Sequence, residues 1–402
     1  MSRSSSRPGR ARRRALGIAA AAVAIAIGPG GAGAQDDTAS GEPETARSTD
    51  ERVDDLEERV EVVLEEIDSL RKIFAVPEEG GLVSYSGLGP AASKVYQRDR
   101  GLSIGGYGEV VFEGEVGDET GSQNELDALR GVLYVGYKFN DWIVFNSEIE
   151  FEHAGDQVGV EFLTLDFLFR DEINARAGLL LAPMGFVNEI HEPVFFFGAN
   201  RPEVERVLIP STWRENGAGI YGTIAERIDY RIYGMNGFRA SGFSDAGIRG
   251  GRQKGSEALA DHFAVVARVD AELLPGVEIG GSIYHGKSGQ NDTLTRTVAT
   301  VPTTFNIPDV PTTIWEVHGQ VRHAGAQLRG LFTQTILGDS AALSAATGTT
   351  IARTLQGGYV EVAYDVMPFL RNESEMTLEP FYRYERVDTQ HHVTANALAA
   401  AG

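Results

Sequence analysis

The stretch Ile143-Val144-Phe145-Asn146-Ser147-Glu148-Ile149-Glu150-Phe151-Glu152 decides how this chain is read. Ile143, Phe145, Ile149 and Phe151 share one parity, while Asn146, Glu148, Glu150 and Glu152 share the other. A period of two belongs to a β-strand, whose successive side chains point to opposite faces. One face is therefore apolar and the other carries a row of carboxylates. That row is too costly for a dry core, because buried unpaired carboxylates lose their hydration without recompense. The charged face calls for water, and the apolar face calls for a medium that is not water.

The alternation continues in both directions. In 130–139, Leu133, Val135, Tyr137 and Phe139 oppose Arg130, Tyr134 and Lys138; in 158–170, Leu163, Leu165, Phe167 and Phe169 oppose Thr164, Asp166 and Arg170. Further on, Val360, Val362 and Tyr364 alternate with Glu361, and Met376, Leu378, Tyr382 and Tyr384 with Glu379, Arg383 and Glu385. Thirteen strands are predicted: 102–115, 125–139, 142–152, 157–170, 173–182, 216–225, 228–238, 259–272, 276–286, 312–323, 325–337, 354–365 and 376–386. Turns such as Phe139-Asn140-Asp141 and Arg170-Asp171-Glu172 are tight, whereas 183–215, 239–258, 287–311 and 338–353 are long. Strands of about 10 residues, with short turns at one end and long loops at the other, predict an all-β fold: a transmembrane antiparallel β-barrel. Tyr137, Phe139, Phe169, Tyr382 and Tyr384 near strand ends suit interfacial girdles. The competing class is a soluble β-sandwich, against which the long strands and the charged second face both argue.

Composition narrows the function. The chain has 402 residues, 48 glycines and no cysteine, so disulfides, Cys-ligated metals and thiol catalysis are excluded. Lys and Arg number 36 against 57 Asp and Glu, a net charge of −21 that argues against nucleic acid. Arg3, Arg7, Arg10, Arg12, Arg13 and Arg14 precede an apolar run from Ala15 to Ile27 and the small-residue sequence Ala32-Gly33-Ala34. That order reads as a signal peptide over 1–34, cleaved after Ala34, rather than a membrane anchor, for which about 13 apolar residues are short. Its loss removes six arginines and no acid, taking −21 to −27 in the mature chain. The chain is read as exported to a Gram-negative outer membrane, with lipid as its surroundings.

A polar linker is expected over 35–50. Val53, Leu56, Val60, Val63, Ile67, Leu70 and Phe74 then alternate spacings of three and four, a coiled-coil seam over 51–74. With Val53 at position a, Arg52–Glu57 and Glu66–Arg71 form g-to-e pairs of opposite sign, which suits parallel strands. Leu64 widens the seam and favours three chains, so a homotrimer held by a periplasmic coiled coil is expected. Residues 75–100 read as a second linker, and 101–402 as the barrel.

The long segment 183–215 carries a resemblance. It runs Pro183-Met184-Gly185-Phe186, Asn188-Glu189-Ile190-His191-Glu192-Pro193, Asn200-Arg201-Pro202 and Pro210-Ser211-Thr212-Trp213-Arg214-Glu215-Asn216-Gly217-Ala218-Gly219. This order resembles the phosphate-selective porin (O/P-type) family, and a looser likeness extends from Leu102 to Arg386. The resemblance implies a sixteen-stranded trimeric barrel, with 183–215 folded inward as a constriction loop. Against sixteen, thirteen strands are read as a chain whose C-terminal strands are missing, with a miscount or a smaller closed barrel as the alternatives.

By strand parity, Arg130, Lys138, Arg176, Arg231, Arg322, Arg329 and Arg383 face the lumen, as do Glu148, Asp166, Glu316 and Glu379; Arg201, Arg206 and Arg214 lie on or beside the inward loop. Guanidinium rows present fixed charge and forked donors to phosphate and other anions, while facing carboxylates favour cations. The expected function is a passive, water-filled porin for ions and small hydrophilic solutes, phosphate among them. The acid-rich chain favours a general or weakly selective pore over a phosphate-specific one. The alternative is a non-conducting membrane anchor whose coiled coil tethers cell wall or partner proteins. No enzyme chemistry, metal site or cofactor is expected: His191-Glu192-Pro193 lacks the second histidine of a zinc protease, and the remaining histidines are scattered. For His191 the expectation is a hydrogen bond that holds the loop to the wall.

Overall fold

The computed structural model describes residues 59–60, 84–114, 124–371 and 376–397. The signal sequence 1–34, the linker 35–50 and the coiled coil 51–74, apart from residues 59 and 60, lie outside them.

The described chain is built of antiparallel strands. They are β1 (Gly101–Glu113), β2 (Glu125–Asn140), β3 (Ile143–Glu152), β4 (Gln157–Arg170), β5 (Ile173–Leu181), β6 (Arg214–Ile224), β7 (Ile228–Asn236) and β8 (Phe263–Leu274). After these come β9 (Val277–Lys287), β10 (Thr293–Val298), β11 (Val301–Asn306), β12 (Pro311–His323), β13 (Ala326–Leu337), β14 (Thr354–Tyr364) and β15 (Phe381–His392). Thirteen form one sheet in the order β1 to β9, then β12 to β15, so every strand lies beside its neighbour in sequence. Such up-and-down pairing needs only local turns. β1 pairs with β2 alone and β15 with β14 alone, so neither a closed ring nor sixteen strands is seen among the described residues.

Three segments differ most from expectation, the first being β8, which starts at Phe263 rather than 259 and runs to Leu274. The connection 287–311, read as an irregular loop, carries the separate hairpin β10–β11. Ala299 and Thr300 at its tip both have positive φ, 48° and 75°, the two-residue geometry that matches the twist of a hairpin. The last strand begins at Phe381 rather than 376 and runs on to His392. Pro380 has no N–H for a ladder, so pairing with β14 stops at Phe381↔Ala363 and leaves Met376 and Leu378 in the connection.

The outward faces of the strands carry exposed apolar side chains, while charged groups are buried on the inward faces beside an apolar core. On β4, Leu163 and Phe169 are 46% and 64% exposed, whereas Asp166 on the opposite face is 0% exposed; Glu148 on β3 is 1% exposed. The pattern recurs in Ile228 and Ile232 against Arg231, and in Val265 and Val269 against Arg268. Each such Leu, Ile or Phe left in water forgoes about 1.5–3 kcal/mol of burial.

The sheet curls around the segment 182–213, which leaves β5 and re-enters at β6. On one side His191 Nε2 lies 3.2 Å from Glu148 Oε1 of β3. On the other, Arg329 Nη1 of β13 donates to the Phe195 carbonyl at 3.0 Å and Arg383 Nη2 of β15 to the Phe197 carbonyl at 2.8 Å. A short helix in this segment, Glu203–Val207, buries Val204 and Glu205, and the Tyr359 hydroxyl of β14 donates to Glu205 at 2.5 Å.

Candidate channel interior

The inward faces of the strands carry charge in matched sets. Asp166 accepts Arg176 Nε at 2.8 Å and Nη2 at 2.7 Å, the Tyr96 hydroxyl at 2.8 Å and the Tyr221 hydroxyl at 2.7 Å. Asp270 accepts Arg231 Nη1 at 3.0 Å and Arg268 Nε at 2.7 Å, and His318 Nε2 stands 2.9 Å from its other oxygen. His318 Nδ1 is 2.8 Å from Glu316, which also accepts Ser282 Oγ at 2.7 Å. Glu361 sits between Arg329 and Arg383, the latter at 2.5 Å. Arg130 lies 2.8 Å from Glu109 and 3.1 Å from Glu150, and Arg214 lies 2.7 Å from Glu161. The antiparallel register sets up the first pair directly, since Asp166 is the cross-strand partner of Arg176.

Of the residues singled out from sequence, Arg130, Arg176, Arg214, Arg231, Arg329, Arg383, Glu148, Asp166 and Glu316 are thus engaged in ion pairs or histidine contacts. Lys138 donates to the Tyr96 carbonyl at 3.4 Å, and Glu379 accepts Gln327 Nε2 at 2.6 Å. Arg206 is exposed and paired with Glu203, and Arg322 is exposed at the turn end of β12. Arg201 donates to the His191 carbonyl at 3.4 Å.

Among the described residues, two charged cavities lie at opposite ends. At the loop end, a cavity of about 360 Å³ is lined by Arg130, Arg201, Arg206 and Arg249 together with Glu109 and Glu203. Burial and the guanidiniums of Arg206 and Arg201 lower Arg249 to about 10; burial, Arg249 and Arg214 lower Arg252 beside it to about 9. Arg249 and Arg252 also hold the inward loop, donating to the Arg206 carbonyl at 2.8 Å and to the Pro210 carbonyl at 3.0 Å. At the turn end, a cavity of about 290 Å³ has the opposite sign: Glu226, Asp229, Asp270, Glu272 and Glu278 outnumber Arg227 and Arg322.

Asp270, Glu278 and His318 bring ligand atoms within 4.8 Å of one another. Asp270 also accepts Arg231 and Arg268 and lies 2.9 Å from His318 Nε2, so the three groups already form one charge network.

No protein-family profile matches the chain. An uncharacterized protein of Aquifex aeolicus (strain VF5) is 36% identical over 337 residues, an alignment covering 80% of this chain and 73% of that protein. The chain belongs to that protein's family. Among solved structures, a loop L8 deletion mutant of OmpT, an outer membrane protein of Vibrio cholerae, is 14% identical with a TM-score of 0.43. The match covers 71% of this chain and 82% of that one. Salmonella typhi OmpF in complex with daunomycin is 11% identical with a TM-score of 0.40, covering 72% of this chain and 77% of that one. At these scores neither likeness bears on function.

In this family member several interior residues escape a sequence reading. Arg268 and Asp270 share the inward parity of β8 with Ala264 and Val266, a period-two signal present in the sequence. Glu189, 3.3 Å from Arg231, and Arg249 and Arg252 sit on long connections where no periodicity assigns a face. Segment 84–97 did carry a signal: Leu88, Ala92, Val95 and Tyr96 have helical spacing, and all four are buried against the wall.

Proposed function

We propose that this chain is a passive channel of the outer membrane, exported by the signal sequence 1–34. The distribution of burial carries the reading: apolar side chains face outward and exposed, while acids and guanidiniums are buried within. Water penalises that arrangement, whereas a bilayer rewards it, since strands paired along the sheet satisfy their own backbone groups in lipid. On this reading the tight turns face the periplasm and the long connections the exterior.

Ions and small hydrophilic solutes are the cargo. The arginine-lined vestibule at the loop end gathers anions, phosphate among them, and the acidic vestibule at the turn end gathers cations. The paired interior supports a weakly selective pore over a phosphate-specific one; the block 183–215 supports kinship with phosphate-selective porins. The seam over 51–74 supports a homotrimer with a periplasmic coiled coil. Purified protein in planar bilayers under a potassium chloride gradient tests the reading. Stepwise conductance with a small reversal potential is expected, and absence of steps from inserted protein, both intact and with residues 84–97 deleted, overturns it.

One observation favours a second reading, a non-conducting membrane anchor: side chains of β4, β5 and β7 close on residues 84–97 and the inward loop. Between Leu88, Phe162, Arg176, Glu189 and Tyr233 only about 10 Å³ is open. Deleting residues 50–74 separates the two readings, since an anchor loses its partners and a channel still conducts.

A further inference from the structure

Residues 84–97 enter the concave face of the sheet and return to the start of β1. The rings of Tyr85 and Tyr96 stack at the neck, with centroids 4.2 Å apart, and the Tyr85 N–H donates to Ser93 Oγ at 2.9 Å. The excursion between them is a compact loop with its ends together. Its tip buries Leu88, Ala92 and Val95 against Val132, Tyr134, Val144 and Phe162 on the inward faces of β2, β3 and β4.

Those four wall positions form an apolar strip on the inward face, as Val266, Tyr284 and Ile314 do where the long connections cover them. Beside Glu148, Glu150, Asp166 and Arg176 on the neighbouring inward positions, it presents an aliphatic and aromatic strip. Such a strip facing a water-filled lumen would gain nothing, and it gains fully under an apolar cover. The backbone is shaped to the same cover. A Cβ on Gly136 would stand 2.7 Å from Val95 Cβ, so glycine opens the socket in which Val95 sits. Asn146 Nδ2 fixes the depth of the tip by donating to the Ala92 carbonyl at 2.8 Å. The tip also meets the inward loop: a Cβ on Gly89 would lie 2.1 Å from Glu192 Oε1. Where tip, wall and loop converge, the residual space of about 10 Å³ holds at most a single water.

We propose that residues 84–97 are a resident plug, which closes the interior together with segment 182–213 and must leave the socket at Gly136 for solute to pass. The proposal rests on the channel reading above. The plug is held by apolar packing and a few hydrogen bonds, so it can be displaced without breaking the ion pairs of the wall.

The test uses the full chain in planar bilayers, alone and with 84–97 deleted, insertion being checked by heat-modifiable migration. Deletion is expected to raise the unit conductance at least threefold; an inserted deletion variant conducting like the intact chain overturns the plug. A second variant guards against misfolding. The chain has no cysteine, so Val95→Cys with Gly136→Cys provides the only thiols. Their Cβ positions, 2.7 Å apart, reach disulfide distance after a shift of about an ångström. Oxidation is expected to abolish openings and dithiothreitol to restore them; openings unaffected by oxidation overturn the proposal. If neither chain conducts, the channel reading fails, and maleimide labelling of Val132→Cys decides the plug separately. Protection in the intact chain that is lost on deletion supports the plug, and equal labelling overturns it.

Discussion

His191 Nε2 lies 3.2 Å from Glu148 Oε1, joining the inward loop to the wall strand β3 with both side chains buried. Burial opposes protonation of His191, but the Glu148 carboxylate outweighs it and raises the imidazole above its ordinary value of 6.5. A raised folded-state value means the contact's contribution is fully present below about pH 6.5 and lost as pH climbs through the raised value. Thermal stability in detergent is expected to fall between pH 6 and pH 9, and His191→Gln to flatten that slope. An unchanged slope in the variant would show that the contact does not hold the loop.

Asp166 gathers Arg176, Tyr96 and Tyr221 around one carboxylate. Asp166→Asn leaves the Arg176 guanidinium buried without a counter-charge, a loss of about 3–5 kcal/mol. Urea unfolding in micelles measures it. Pairing the change with Arg176→Met should recover most of the loss, since an apolar side chain of similar length replaces the stranded charge.

The outer face separates bilayer from water. Leu163 is 46% exposed, and at such a site in a soluble protein arginine would be harmless. In a bilayer Leu163→Arg on mid-strand β4 should cost about 2–4 kcal/mol. Folding into lipid vesicles, followed by denaturant titration, reads the difference; no loss would return the chain to the soluble class.

The two vestibules should act on selectivity with opposite signs. A unit charge about 4 Å from a passing ion is worth about 1 kcal/mol in water, or about fivefold in occupancy. Arg249→Ala should therefore lower the anion-to-cation permeability ratio by up to about fivefold, and Glu278→Gln should raise it. Reversal potentials measure both, and shifts in the same direction would mean that neither cavity lies on the conduction path.

Much of this architecture was legible in the chain because period two is local. The alternation in 143–152 and 158–170 fixes which side chains share a face, and antiparallel neighbours then follow from tight turns. Glu148, Asp166 and Arg176 could be assigned to one face on parity alone. What parity does not carry is a partner. That Asp166 meets Tyr96, 70 residues earlier, depends on an excursion of chain with no strand periodicity. The hairpin β10–β11 and the late start of β15 were misplaced for a related reason: turn geometry at Ala299-Thr300 and a missing N–H at Pro380 override an otherwise ambiguous pattern.

The sequence by itself determined the strands, their faces and the chemistry each face carries, because these follow from side-chain alternation along a single segment. Only the tertiary structure decided what fills the interior. A row of guanidiniums reads from sequence as a ladder for anions; folded, Arg176, Arg231, Arg268, Arg329 and Arg383 are each matched by a carboxylate across or along the sheet. The pairing arises because desolvated charges are tolerable only beside an opposite charge, a condition set by distances between strands rather than along them. The same holds for Val95 in its socket at Gly136, a fit between residues 41 positions apart that no local pattern contains.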